Sequence, residues 1–367
     1  MVGAAQSGRL SVGVDINPLA LFVARVKLNP LSRDELTEVS RFQRSFRKIA
    51  ETQAAHPLPS LRIADKVFEP DILDALLRLR SAIEAKRLAN SRIRDFLLLA
   101  WLSILQDVGS YFKEGNGIKY RNKKRLKTGY IRRPEGLWQL ERFGPNQQDF
   151  VHSAFENQLS VMILDATAWE TGSWSAQRVL EGSALELDAL LAREQFDSVI
   201  FSPPYANRFD YFESLKVELW FGGFVKSYDD LGALRKRSLR SHLGADLTRP
   251  AIEIPALEQL IALMDRAASS WRMGVPYALR GYFDDMYNTL RQCRALVPNG
   301  RCHIVVGNSA YAGVIVPTDS MIASLGLQAG FSKAKMLVVR HLTVAPQQRS
   351  ELGGLEQYMR ESVVILE

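Results

Sequence analysis

Residues able to do chemistry concentrate at three points of this 367-residue chain. The first is Ser202-Pro203-Pro204-Tyr205, directly after the apolar run Phe196-Asp-Ser-Val-Ile-Phe201. Consecutive prolines lock two φ angles and continue neither a helix nor a central strand, so the backbone after that run is stiff. The side-chain oxygen of Ser202 and the carbonyl of Pro203 can then be aimed at one point, with the flat face of Tyr205 beside it. This suits a planar, amine-bearing ring: the oxygens accept the amine hydrogens and the phenol stacks. The alternative is a turn with an incidental tyrosine. The second point is Asp15, which closes the β-branched run Leu10-Ser-Val-Gly-Val14 ahead of Ile16-Asn17-Pro18. In doubly wound sheets ligands bind at the carboxyl ends of strands, where an acid can accept hydrogen bonds from both hydroxyls of a ribose. Acids also cap helices. The third is the basic stretch Tyr111 to Arg133, with Lys119, Arg121, Lys123, Lys124 and Arg125 at its centre and Glu114 its single acid. Tyr111, Phe112, Tyr120 and Tyr130 interleave with the charges, and Gly115, Gly117 and Gly129 break any helix. A flexible loop of this kind suits phosphate contact with base stacking; a solvated loop without a ligand is the alternative.

The elements that must position these residues read as α/β. Leu10–Ile16 is a strand, and Pro18 opens a helix through Lys27, which makes half a βαβ unit. From 32 to about 109 the pattern is helical. Leu36, Val39, Phe42, Phe46 and Ile49 recur near a 3.6 period, and residues 70–88 and 91–106 are two further amphipathic candidates. Gln177–Leu180, Phe196–Phe201 and Arg301–Val306 read as strands, with helices over 210–225 and 251–296. Lys335–Arg340 and Glu361–Leu366 are expected as a closing antiparallel pair on an otherwise parallel sheet.

Composition narrows the class. With 47% apolar and 24% charged residues, global disorder, a collagen repeat and a disulfide scaffold are excluded. No apolar run reaches the roughly 18–20 residues of a membrane span. The longest, Phe96–Leu105, contains Trp101 and Ser103 and reads as a buried helix. Two cysteines, Cys293 and Cys302, make no metal cluster and read as reduced, partly buried thiols. The five histidines are scattered, so no metal site is expected. The N-terminus lacks a basic region followed by an apolar block, so a cytoplasmic location is expected. A net charge of +7 leans toward a polyanionic partner. Arg235-Lys-Arg237, Arg240 and His242 read equally well as phosphate contacts and as a solvated face.

Asp15-Ile-Asn-Pro18, the strand running into Gly182-Ser183-Ala184, and Ser202-Pro-Pro-Tyr205 resemble the amino-methyltransferase family that modifies DNA bases with S-adenosylmethionine. So do Leu296-Val-Pro-Asn-Gly300, Val305-Val-Gly-Asn-Ser309, Gly330-Phe331 and Arg360-Glu-Ser-Val-Val-Ile365. The resemblance covers roughly residues 1–30 and 176–367. It implies a Rossmann-like, doubly wound, mostly parallel methyltransferase sheet with a large helical and basic insertion, 31–175, as target-recognition region. It implies that Ser202, Pro203, Pro204 and Tyr205 are catalytic and that Asp15, Ile16, Ser183 and Ala184 hold S-adenosyl-L-methionine. Lys119, Arg121, Lys123, Lys124 and Arg125 would contact double-stranded DNA, with the target base flipped out. The serine form of the tetrapeptide leans toward the 4-amino group of cytosine over the 6-amino group of adenine. RNA base methylation and a truncated, inactive nucleic-acid-binding relative are the alternatives. Ser183 stands where the family usually has an acid. The family's glycine-rich loop, expected upstream of Asp15, is missing from the few residues before Leu10. A cut N-terminus, or a second chain supplying that motif, is therefore expected. A cognate restriction endonuclease is a possible partner.

Overall fold

The structure, a computed structural model, describes all residues except 86–89, 116, 122, 127–128, 133–136, 169–173, 193, 249–251, 266–273 and 345. It is a mixed α/β chain with several small sheets. Two compact units divide it: residues 1–181 with 212–231, and residues 182–211 with 232–367.

The first unit carries strands β1 (Ser11–Asp15), β2 (Tyr111–Glu114), β3 (Gly117–Tyr120), β4 (Lys123–Leu126), β5 (Gly129–Arg132) and β6 (Gln177–Glu181). β1 and β6 run parallel, from Ser11 opposite Gln177 to Asp15 opposite Glu181. The helix Pro18–Lys27 follows β1; Asn17 caps it by accepting the Leu19 N–H at 3.0 Å. The helix Arg33–Thr52 starts in a capping box of Ser32 and Glu35, and the expected stripe Leu36, Val39, Phe42, Phe46 and Ile49 is buried. Pro70–Glu84, Ser91–Val108 and Gln147–Ala168 are the other long helices of this unit. The run Phe96–Leu105 is core: Leu97, Ala100, Trp101 and Leu105 are inaccessible, and the Trp101 indole donates to the Leu76 carbonyl at 3.0 Å. Among the described residues no helix is long and apolar enough to cross a membrane.

The basic stretch expected as a loop forms two antiparallel hairpins instead. β2 pairs with β3, Tyr111 opposite Tyr120, and β4 with β5, Lys123 opposite Arg132. Of the glycines read as helix breakers, Gly117 and Gly129 open β3 and β5, and Gly115 sits in the turn before β3 at φ 54°, a conformation hairpin connections require and glycine supplies cheaply.

The second unit carries β7 (Ser198–Phe201), β8 (Arg301–Gly307), β9 (Ser309–Tyr311), β10 (Val314–Val316), β11 (Ala334–His341) and β12 (Arg360–Leu366). Its main sheet has the order β11-β12-β8-β7, with β7 parallel to β8 and the rest antiparallel, as expected for the closing pair. β9 and β10 form a hairpin whose turn, Ala312-Gly313, has both residues at positive φ, 55° and 74°. β11 is an edge strand. Its Met336, Leu337, Val338 and Val339 are 43–60% exposed, and a bulge interrupts the pairing between Val338 and Arg340. Both cysteines are free and buried.

The basic run after the tetrapeptide is neither a phosphate-binding nor a solvated face at two of its positions. Arg240 is buried: its Nη2 lies 2.5 Å from Asp284 and 2.7 Å from Asp285, and its backbone N–H donates to Asp285 at 2.8 Å. Its partners stand on the helix Val275–Leu296, where Gly281 makes room for it. A Cβ there would sit 2.7 Å from the Arg240 Cδ. His242 is buried too. Desolvation lowers its pKa, and its Nδ1 accepts the Gly244 N–H at 3.1 Å, as a neutral ring does. Arg235 pairs with Asp210 at 2.6 Å, and Arg237 stays at the surface.

Candidate active site

β7 ends at Phe201, opposite Ile304 of β8, and the tetrapeptide begins at once. The Ser202 hydroxyl is exposed and donates to the Val305 carbonyl at 3.1 Å. With its hydrogen on Val305, the oxygen keeps lone pairs that can accept from a donor arriving from solvent. Pro203 is buried and Tyr205 partly so. The carbonyl of the next residue, Ala206, receives the Tyr311 hydroxyl at 2.6 Å and the Ser309 hydroxyl at 2.8 Å, both buried. The diproline corner is thus pinned at both ends by β8 and the β9 strand beyond it.

Tyr205 is held from the sheet. Its hydroxyl donates to Glu361 Oε1 at 2.5 Å. Glu361 lies in β12, opposite Gly307 of β8 on one side and Arg340 of β11 on the other. Arg340 grips it in a fork, Nε at 2.6 Å and Nη2 at 3.1 Å. The Tyr205 ring passes over Gly307, where a Cβ would come within 2.7 Å of its Cε2. Desolvation, then the hydrogen bond to Glu361, pushes the phenol up to about 12. Hydrogen bonds from Arg340 and from Tyr205 hold the Glu361 carboxyl below its usual range.

A second layer fixes the strand ends. Asn308 Nδ2 donates to the Tyr358 carbonyl at 3.0 Å, and its Oδ1 accepts the Asp319 N–H at 3.1 Å. Asp319, fully buried, accepts from Arg360 Nε and the Ser362 hydroxyl, each at 2.8 Å. Desolvation raises the Asp319 pKa, but these hydrogen bonds outweigh it and the net shift is downward. A depressed folded-state pKa gives stability that is present above the unfolded aspartate value and lost as pH falls through the folded one. Acid titration of Asp319→Asn should therefore show a shallower loss of stability below the ordinary aspartate range than wild type. Parallel acid limbs in denaturant midpoints would remove Asp319 from that role.

In the first unit Asp15 sits at the tip of β1 and is not the helix cap, which Asn17 supplies. Asp15 Oδ1 accepts the Asn17 N–H at 2.8 Å. Desolvation raises its pKa against the pull of the Asn17 and Ile16 N–H groups. Ile16 follows in the turn. Lys119 is exposed on β3, and Arg121 donates to the Tyr111 carbonyl at 2.8 Å with its guanidinium 5.3 Å from the Phe112 ring centre. The side chains of Lys123, Lys124 and Arg125 lie outside the described residues, although their backbone is strand.

Ser183 and Ala184 stand with the tetrapeptide in the second unit. Ser183 is buried, donates to the Arg237 carbonyl at 2.9 Å and accepts the Leu185 N–H at 3.2 Å, as the cap of a short 3₁₀ turn. Sequence reading did not single out Gly307, Glu361 or Tyr311. Gly307 and Glu361 lay inside Val305–Ser309 and Arg360–Ile365, which were read only as marks of resemblance. Among the described residues no group of three or more His, Cys, Asp or Glu side chains could hold a metal ion.

The chain is similar to curated Type II methyltransferases. It is 23% identical over 303 positions to the Type II methyltransferase M.AvaI of Nostoc sp., covering 77% of this chain and 60% of that protein. To M.BsoBI of Geobacillus stearothermophilus it is 23% identical over 403 positions, 97% of this chain and 75% of that protein. To M.MvaI of Kocuria varians it is 23% identical over 203 positions, 53% and 41% respectively. The chain thus spans about 60% of the length of M.AvaI. No family model matches it, and no solved structure matches it significantly.

Proposed function

We propose that this chain is a site-specific DNA methyltransferase that moves a methyl group from S-adenosyl-L-methionine to the exocyclic amine of a flipped-out base, cytosine N4 in preference to adenine N6. The observation that carries this reading is the Ser202 hydroxyl, already donating to Val305 and so left as an acceptor beside the Tyr205 ring. An exocyclic amine is a poor nucleophile because its lone pair is delocalised into the ring. Ser202 Oγ and the Pro203 carbonyl accept its hydrogens, draw the nitrogen toward tetrahedral geometry and hold it in place for transfer. Tyr205 stacks on the base once it has left the duplex. The cofactor, when bound, supplies the activated methyl on its sulfonium. Asp15 is the residue to hold its ribose, since its side chain is exposed at the strand tip. Ser183 and Ala184 are assigned to its adenine; with its hydrogen committed to Arg237, Ser183 can only accept there.

In this reading residues 1–30 and 176–367 make the catalytic domain, with a Rossmann-like sheet, and 31–175 recognise the target. The protein works in the cytoplasm and fits a restriction–modification pairing. Methyl transfer from labelled S-adenosylmethionine to duplex DNA and to RNA, followed by nucleoside analysis, tests this. Label in N4-methylcytosine of DNA is the expected result. Label in N6-methyladenine would overturn the base preference, and label only in RNA would overturn the substrate.

The hairpins bear on affinity. Neutralising Lys123, Lys124 and Arg125 together should weaken DNA binding. It should also flatten the dependence of log affinity on log salt by about one unit per lost phosphate contact. Fluorescence anisotropy across a salt series measures it; an unchanged slope would take β4 out of the interface.

A further inference from the structure

We propose that Glu361, gripped by Arg340 and reached across Gly307, is a positioning residue that fixes the Tyr205 ring for the incoming base. The inference rests on Tyr205 being the stacking face in the transferase reading. Three observations join here. The hydroxyl-to-carboxylate distance is 2.5 Å, which fixes the far end of the ring's long axis. Rotation about that axis would leave the hydroxyl in place, so the hydrogen bond alone does not set the ring plane. Gly307 does: the ring's Cδ2–Cε2 edge lies against its backbone, closer than any side chain would permit. Arg340 completes the device by binding both Glu361 oxygens from the adjacent strand, so the carboxylate cannot swing away.

The three residues that hold the ring are cross-strand neighbours, with Arg340 on β11, Glu361 on β12 and Gly307 on β8. Sheet register therefore sets the cradle against which the Tyr205 ring rests, while the ring itself is carried by the segment after β7. Such a ring needs no ordering when a base arrives, and a reacting group displaced by about 1 Å can lose about 100-fold in rate. At neutral pH the phenol is protonated and the carboxyl ionised, and the contact between them pushes the phenol further up and the carboxyl further down.

Two experiments on the full chain test the role. In steady-state methylation, Tyr205→Phe and Glu361→Leu, which remove the donor and the acceptor respectively, should each lower kcat by about 10-fold or more, with KM for S-adenosylmethionine unchanged. The double variant should fall no further than the worse single, since both remove one hydrogen bond. Additive losses, or an unchanged kcat in Glu361→Leu, would overturn the proposal. The second readout needs no turnover. In protein labelled with ring-¹³C tyrosine, the signal that vanishes in Tyr205→Phe should shift in Glu361→Leu and in Gly307→Ala. If it stays put in both, the ring is not held this way. If it moves but wild type transfers no methyl group to any nucleic acid, the transferase reading has failed and the positioning role falls with it, leaving only the hydrogen bond.

Discussion

Replacing Ser202 and Pro203 with alanine abolishes methyl transfer and leaves DNA affinity largely intact. The Ser202 oxygen is one of two acceptors assigned to the target amine, and the proline ring holds the other, its own carbonyl, rigid. Loss of a single preorganised polar contact to the reacting group typically costs about 100- to 1000-fold in kcat. Loss of both, with backbone freedom restored at a buried proline, should exceed that. Neither residue belongs to the basic hairpins assigned to the phosphates, so binding should survive. The pair of measurements is labelled-methyl transfer and anisotropy on the same DNA. Full residual activity would refute the assignment of the corner. Activity and affinity falling together would place Ser202 and Pro203 in binding or folding and not in chemistry.

Arg240→Ala should destabilise the second unit by about 3–5 kcal/mol, the usual cost of removing one partner from a buried ionic cluster. Arg240 is 2% exposed, and its removal leaves Asp284 and Asp285 as adjacent buried carboxylates without their shared counter-charge. Urea denaturation followed by fluorescence should show a lower midpoint. Arg240→Met with Asp284→Leu should recover part of the loss, because it removes charge from both sides of the cluster and fills the space. A single variant within about 0.5 kcal/mol of wild type would mean that Arg240 contributes no more than a typical surface residue.

The contrast between Arg240 and Ser202 shows what the sequence could and could not reveal. Ser202-Pro-Pro-Tyr is local: its stiffness and its functional groups lie within four residues, and the run before it reads as a strand. The strand that ends at Asp15 and the helix stripes were legible for the same reason, since alternation, a helical period and an Asn-Pro start are all short-range signals. Arg240 was misjudged because its partners are 44 and 45 residues away on another helix, so a buried cation looked like one more member of a basic run. Glu361 escaped notice because the hydroxyl it receives comes from a residue 156 positions earlier, brought to it only by the tertiary fold. The hairpins were lost to composition: so many lysines and arginines pointed to a solvated loop, and they masked strands of only four residues.

The edge strand β11 has one more implication, for self-recognition. Met336-Leu-Val-Val339 is an apolar template with free backbone groups, the kind of edge along which two molecules could zip together. The antiparallel alignment that would lay these four residues on their own copies sets Lys335 opposite Arg340, a like-charge clash at each end. The bulge at Val339 adds a local kink that a straight second strand cannot follow. The same arginine that grips Glu361 thus also guards the strand against sticking to itself.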